Sequence, residues 1–311
     1  MPELGLFGKI PAKGDFVRHN IVDDAARSFE QWVQESNDAL RGGGSELPAH
    51  PIRVVYTPPG SASTIVAVLV PSQDQVGRKF PIVLFALTPS APIGQSFSAL
   101  PLAWATWLEG AVALGQRAAT LDLEQLKMGL AALPTPGPTD MMQAHATCEK
   151  ALAHPLLPEL HARIFHGSDA MHYYAYQTFL TACQDASKGD PGKASTVLDC
   201  PIKVDVDLFV WLELARRVFG FPPAHPAFFW IEDPAPRLLF SLGPAPLVML
   251  QFLANPALEH QRLWPLTTDR TQAVEAARGT LGPVLAHLGD QAPVSALVDI
   301  LAQRASAGTM R

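Results

Sequence analysis

The chain is short of the residues that announce most chemistries. Its 311 residues hold three cysteines, Cys148, Cys183 and Cys200, odd in number and widely spaced. That pattern excludes a disulfide framework or a Cys-x-x-Cys zinc site, and the expectation is reduced, buried thiols in a cytosolic protein. Charge is sparse, at 17% of residues, and the balance of 23 basic against 29 acidic side chains leaves a net charge of −6. No block of like charge interrupts it, so the basic footprint that nucleic acid or an anionic membrane surface requires is missing. Long apolar runs are missing as well. Stretches such as Ile65–Val70 and Leu238–Leu242 fall far short of the roughly 20 residues of a membrane span. The N-terminus carries acidic Glu3 in strand-like sequence rather than a basic region followed by an apolar one, which is unlike a signal peptide. A cytoplasmic location without membrane insertion is expected.

The usual catalytic signatures are lacking too. No Gly-x-x-x-x-Gly-Lys-Ser/Thr spacing occurs, and Lys13-Gly14-Asp15 inverts the order that a phosphate loop needs. Gly42-Gly43-Gly44 follows a helical pattern rather than a strand, which excludes a dinucleotide fingerprint. There is no Gly-x-Ser-x-Gly nucleophile elbow. His154, His161, His166 and His172 crowd one region with Asp169. His161 and His166 are five positions apart, about 140° around a helix, so they do not form a ligand pair on one face. Surface or interface histidines are the simpler reading, with a hydrolase or transferase built on residues 154–172 as the enzymatic alternative. His50 and His225, each near prolines, read as loop residues, and the six tryptophans, at 32, 104, 107, 211, 230 and 264, read as core anchors.

What is present is a layered α/β pattern. The apolar content of 48% suits a full core. Residues 3–10 predict a strand. Asp23 or Asp24 caps a helix whose Ala25, Phe29, Trp32, Val33, Ser36 and Leu40 recur at three- and four-residue spacing, and which the three glycines at 42–44 stop. Residues 52–57, 64–70 and 80–87 predict strands, nearly continuous in apolar character and so covered on both faces. Helices are expected over 96–118 and 121–132. A Pro-rich linker at 133–139 precedes helices over 140–152, 156–165 and 170–186, and 188–194 is a second break. A helix over 205–219, apolar nearly all round, belongs in a core. Strands at 227–232 and 237–242 flank a turn at Asp233-Pro234-Ala235-Pro236. Helices over 246–254, 270–287 and 292–306 complete the chain.

Two motifs stand out. One runs Gly5-Leu6-Phe7-Gly8-Lys9-Ile10-Pro11-Ala12-Lys13-Gly14-Asp15-Phe16-Val17-Arg18, the other Val70-Pro71-Ser72-Gln73-Asp74-Gln75-Val76-Gly77-Arg78-Lys79-Phe80-Pro81. Their glycines give backbone freedom, their prolines fix turns, and Asp15 and Asp74 are placed to bond loop amides. Arg18 and Arg78 are candidates to pair with those carboxylates. The set Lys9, Lys13, Asp15, Arg18, Asp74 and Arg78 reads as a loop network joining two strand ends, or as a partner-recognition surface made by the same loops.

Together the motifs, with Phe29 and Trp32 on the intervening helix, resemble the TagF (ImpM-like) family associated with bacterial type VI secretion. The match covers about residues 4–110. A weaker echo at 228–254 opens on Phe229-Trp230 and reaches Gly243-Pro244-Ala245-Pro246, while residues from about 115 to 225 have no counterpart. The resemblance implies a three-layer α/β/α sandwich with a mixed central sheet, extended by extra helices in the middle and at the C-terminus. It divides the chain into a TagF-like domain over 1–256, with a helical insertion at about 115–225, and a C-terminal helical extension over 257–311. It further implies a cytoplasmic regulator without enzymatic activity or cofactor. Such a protein represses secretion by binding another component, notably one with a forkhead-associated domain. A structural docking subunit of the apparatus is the alternative. Some relatives carry a metal-dependent phosphatase domain rich in Asp-Gly pairs, and this sequence has no such pair.

Overall fold

The computed structural model describes residues 2–90, 96–154, 156–166, 170–188, 196–219, 227–232, 235–267 and 271–308. Among them nine strands form a single sheet. In chain order they are β1 (Glu3–Gly8), β2 (Val17–His19), β3 (Ile52–Tyr56), β4 (Ser63–Val70), β5 (Ile82–Pro89), β6 (Val197–Pro201), β7 (Ala227–Ile231), β8 (Arg237–Ser241) and β9 (Leu263–Pro265). Their order across the sheet is β2-β1-β5-β4-β3-β7-β8-β6-β9. All neighbours run antiparallel except β6 and β9, which makes the sheet mixed.

Side-chain alternation divides each strand between two cores. On β4, Ile65, Ala67 and Leu69 enter one apolar cluster while Val66, Val68 and Val70 enter the other. On β5, Val83, Phe85 and Leu87 oppose Ile82, Leu84 and Ala86 in the same way. Because the period is two, a one-residue slip would exchange every one of these side chains between faces, so two buried faces fix the register firmly.

The helical layers are unequal. The first face is covered by α1 (Asp24–Gly42) and by a short helix near residue 250. Between them and beyond come α2 (Leu100–Ala103), α3 (Ala105–Gln116), α4 (Leu123–Ala131), α5 (Pro138–Ala153), α6 (Leu157–Phe165), α7 (Met171–Lys188), α8 (Asp205–Phe219), the short α9 (Met249–Ala254), α10 (Thr271–Leu285) and α11 (Val294–Gly308). On α1 the six residues expected on the apolar face are all buried. Asp23 accepts from the Ala25 amide at its start, and Gly43 closes its end. Trp32 donates to the carbonyl of Ala245 at 2.9 Å, and Gln251 donates to Ala39 at 2.6 Å, which tie α1 to the chain around α9. The other face carries the thick layer. There Trp211 on α8 is fully buried against Phe179 and Tyr176 of α7, with ring centroids 5.2 and 5.7 Å away. The architecture is the expected three-layer sandwich.

The structure revises several element boundaries. The helix expected over 96–118 is broken at Trp104, with a 56° bend. Trp104 leaves helical torsions and sets its ring edge-on against Trp107, burying both. Three short strands escaped the sequence reading: β2, β6 and β9. In β6, Asp199 and Pro201 mask the pattern, and Asp199 is there because Arg237 on neighbouring β8 grips it with two hydrogen bonds of 2.8 and 2.9 Å. Strand β9 makes part of the tail beyond 256 an edge of the sheet, while α10 packs on α7 and α11 on α8. Trp264, on that edge strand, is 37% exposed rather than a core anchor. The break at 188–194 falls mostly, and the turn at 233–236 partly, outside the described residues.

Gly8 ends β1 with φ +130°, and a Cβ there would stand 2.1 Å from the carbonyl oxygen of Pro81 at the start of β5. Gly8→Ala is therefore expected to destabilise the protein by at least about 1–3 kcal/mol from backbone strain alone. Urea unfolding checks it, and an unmoved midpoint would mean that the strands do not approach this closely.

Candidate functional site

Both motifs converge at one end of the sheet, where β1 leaves into residues 9–16 and β4 turns into β5 through residues 71–81. The second loop is built on itself. Phe80 donates its amide to Ser72 (3.0 Å), Asp74 to Arg78 (3.1 Å) and Gly77 to Asp74 (3.0 Å), and Gly77 takes φ +83°, which glycine adopts without strain.

Asp74 lies at its centre, with its carboxylate fully buried. It accepts from the amides of Val76 (3.1 Å) and Arg78 (2.8 Å), from Arg78 Nε (2.6 Å) and from Lys9 Nζ (3.0 Å). Burial opposes its ionisation. The amide of Arg78, the side chains of Lys9 and Arg78 and the amide of Val76 outweigh that penalty and hold the carboxyl well below the usual carboxylate range.

The same groups lock the two loops together. Lys9 belongs to the first motif, Arg78 also donates to the Gly14 carbonyl at 2.6 Å, and the Gln75 amide donates to the Lys13 carbonyl at 3.0 Å. Phe16 packs edge-on against Phe80 with centroids 4.7 Å apart.

Of the six singled-out residues, the structure brings Lys9, Asp74 and Arg78 into direct contact, and Lys13 joins through its backbone. Two expected pairings are corrected. Asp15 is exposed and its carboxylate makes no ion pair among the described residues. Arg18 reaches neither aspartate, because β2 aims it at α1. There it bonds Glu30 at 2.6 Å and its guanidinium lies 5.2 Å from the centre of the Phe16 ring. Glu30 gave no sequence signal beyond its place on the helix. At the outer tip of the second loop Val76 is 71% exposed. Beside this unit a cleft of about 750 Å³ opens, with Leu40 and Arg41 of α1 on one wall and Arg78, Lys79 and Phe80 on the other.

The histidine region forms a different arrangement. His161 and His172 stack with ring centroids 4.1 Å apart, and His161 Nε2 lies 3.1 Å from the Tyr176 hydroxyl. Burial, and secondarily His172, push His161 down to about 3, so its ring is neutral at physiological pH. His154 and His166 terminate α5 and α6 and are exposed, whereas Asp169 and His225 lie outside the described residues.

One donor cluster escaped the sequence reading. His145 and Glu149, one turn apart on α5, place ligand atoms within 4.8 Å of one another and of Glu213 on α8. Its charge is already answered, since Arg216 (2.8 Å) and Arg217 (2.6 Å) bond Glu213 while Arg217 also pairs with Glu149 and Asp299. The cluster serves as an ion-pair hub linking α5, α8 and α11. All three cysteines are buried, and burial, followed by Glu213 and Glu149, pushes Cys148 up to about 12.

Residues 5–133 match the model of a protein family described as the TagF N-terminal domain, type VI secretion system-associated. That span runs from β1 through α4 and contains both motifs and the Asp74 hub, so this part of the chain is similar to a domain described as type VI secretion system-associated. No curated protein matches the sequence. Among solved structures, the crystal structure of PA0076 from Pseudomonas aeruginosa PAO1 is similar with a TM-score of 0.47 at 17% identity, over 85% of this chain and 99% of that one. Among the described residues, no single helix is long and apolar enough to cross a membrane.

Two outcomes follow. A carboxyl group held ionised by the fold stabilises it fully above about pH 5 and loses that contribution as pH falls through the ordinary carboxylate range near 3.9 and below. The acid limb of stability is therefore expected to flatten in Asp74→Asn, which is itself less stable than wild type at neutral pH, as circular dichroism melts across pH 2–7 would show. His161, whose folded value is depressed, should keep a neutral ring down to about pH 5, and an NMR titration giving it an ordinary midpoint near 6.5 would contradict its burial.

Proposed function

We propose that this chain is a non-enzymatic, cytoplasmic accessory protein of a type VI secretion system that represses secretion post-translationally by binding and withholding another component. The partner this reading favours carries a forkhead-associated domain. The observation that supports it is the use to which the charged motif is put. The Asp74 carboxylate is saturated by four donors, two amides of its own loop and the side chains of Arg78 and Lys9, which suits holding a surface and leaves it no free lone-pair direction toward a substrate. The loops so fixed present Val76, Lys13 and Asp15 outward, a small apolar tip flanked by opposite charges. A preformed surface of that kind binds without first having to order its loops.

Sequestration works when the complex forms at cellular concentrations, which asks for a dissociation constant of about 1 μM or tighter. The test is a pull-down of the purified forkhead-associated protein of the same secretion system, with Asp15→Arg and Val76→Asp together as the altered bait. Both side chains are exposed, so the fold should survive and wild-type retention should fall roughly tenfold or more. Equal retention by a folded double variant would remove these loop tips from the interface. Absence of binding by wild type would remove the sequestration reading altogether.

A further inference from the structure

The cleft beside the two loops has features that the loop network leaves unexplained. Asn37, on α1, is 4% exposed and lines the cleft, yet its carboxamide has no hydrogen-bond partner among the described residues. Its polar atoms open onto the cleft, where they are available to a ligand. One helical turn on, Arg41 lines the same wall, exposed and with no ion pair among the described residues. Opposite them, Gln73 adds another carboxamide, and Arg78 and Lys79 add positive charge. Glu46 is the one carboxylate among the residues lining the cleft, and Lys79 already pairs with it at 2.6 Å. Counting Lys9 and Asp74 behind the wall, four cations stand against two carboxylates in a chain whose net charge is −6. Leu40, Leu47 and Phe80 add apolar surface to the lining.

We infer that this cleft receives an extended acidic segment of a protein partner. The argument is one of chemical match. A carboxamide offers one donor face and one acceptor, the complement of a peptide group, so Asn37 and Gln73 suit a backbone. Arg41 suits an acidic side chain, because its guanidinium is uncommitted and always charged. The apolar lining of Leu40, Leu47 and Phe80 suits apolar side chains between the acidic ones. A cleft of about 750 Å³ lies within the range of ordinary ligand sites. The excess of positive charge excludes a basic segment. This deepens the proposed function, and rests on it for the identity of the partner but not for the chemistry of the cleft.

The test uses the full chain and a defined probe, a fluorescein-labelled octapeptide alternating Asp and Leu, read by fluorescence polarisation beside its Lys/Leu counterpart. The Asp/Leu peptide is expected to bind and the Lys/Leu peptide not. Affinity should fall roughly tenfold in Arg41→Glu, and should weaken as salt rises from about 50 to about 300 mM. Asn37→Ala, which changes no charge, should also weaken binding while leaving the melting profile folded. No binding of the Asp/Leu peptide overturns the inference, as does equal binding to both folded variants. Full displacement by inorganic phosphate overturns it too, because the cleft would then be a small-anion site. The forkhead-associated protein is assayed in parallel. If it is lost in Arg41→Glu together with the peptide, cleft and partner coincide. If the peptide binds but the protein is not retained even by wild type, the proposed function fails and the cleft stands. If the protein is retained while the peptide fails, the cleft falls and the function stands.

Discussion

A carboxylate removed from water must find enough donors to replace its hydration, and at Asp74 these donors come from both motif loops of the N-terminal unit at once. Two amides of its own turn fix the loop over 71–81, Lys9 brings in the end of β1, and Arg78 carries the contact on to Gly14. Residues 9–16 and 71–81 are far apart in sequence, and Asp74 ties them together beside the Gln75–Lys13 bond, the Phe16–Phe80 contact and the β1–β5 pairing. A partly satisfied buried charge is costly, so losing any one of these donors weakens the tie between the loops.

The sheet supplies the platform. Its faces are buried under helical layers of unequal weight, one built on α1 and α9, the other on helices from the middle and the end of the chain. The motif loops emerge at a strand end, where they face α1 and the end of α3 across the cleft. Helix α1 contributes to the platform and the site together: its apolar face anchors Phe29 and Trp32 in the core, Glu30 takes Arg18, and Asn37 and Arg41 line the cleft. The TagF match ends at residue 133, so the unit described for partner binding lies wholly inside the matched part. The remaining half of the sheet joins it through the β3–β7 pairing.

Local periodicity carried most of the architecture. On α1 the spacing of Ala25, Phe29, Trp32, Val33, Ser36 and Leu40 identified its buried face directly. The runs at 52–57, 64–70 and 80–87 gave β3, β4 and β5 because strands with both faces covered are apolar throughout. Where the sequence was mute, the determining contact was distant. Strand β6 contains Asp199 and Pro201, and only Arg237, on another strand, explains why an acid belongs there. Charge alone cannot tell Asp15 from Glu30 as the partner of Arg18; the direction of β2 decides it. The importance of Asp74 was readable from its motif, but its burial was not, since the same pattern describes a solvated turn. Asn37 carried no signal at all, being unusual only in lacking a partner once the fold is assembled.

The claim that most depends on this reading is that Asp74 holds two distant loops as one body. Hydrogen–deuterium exchange on the full chain, wild type against Asp74→Asn, tests it most directly. The account predicts that amides in both 11–16 and 71–81 lose protection together while the central strands β3, β4 and β5 keep theirs. Faster exchange confined to 71–81, with residues 11–16 unchanged, would contradict it.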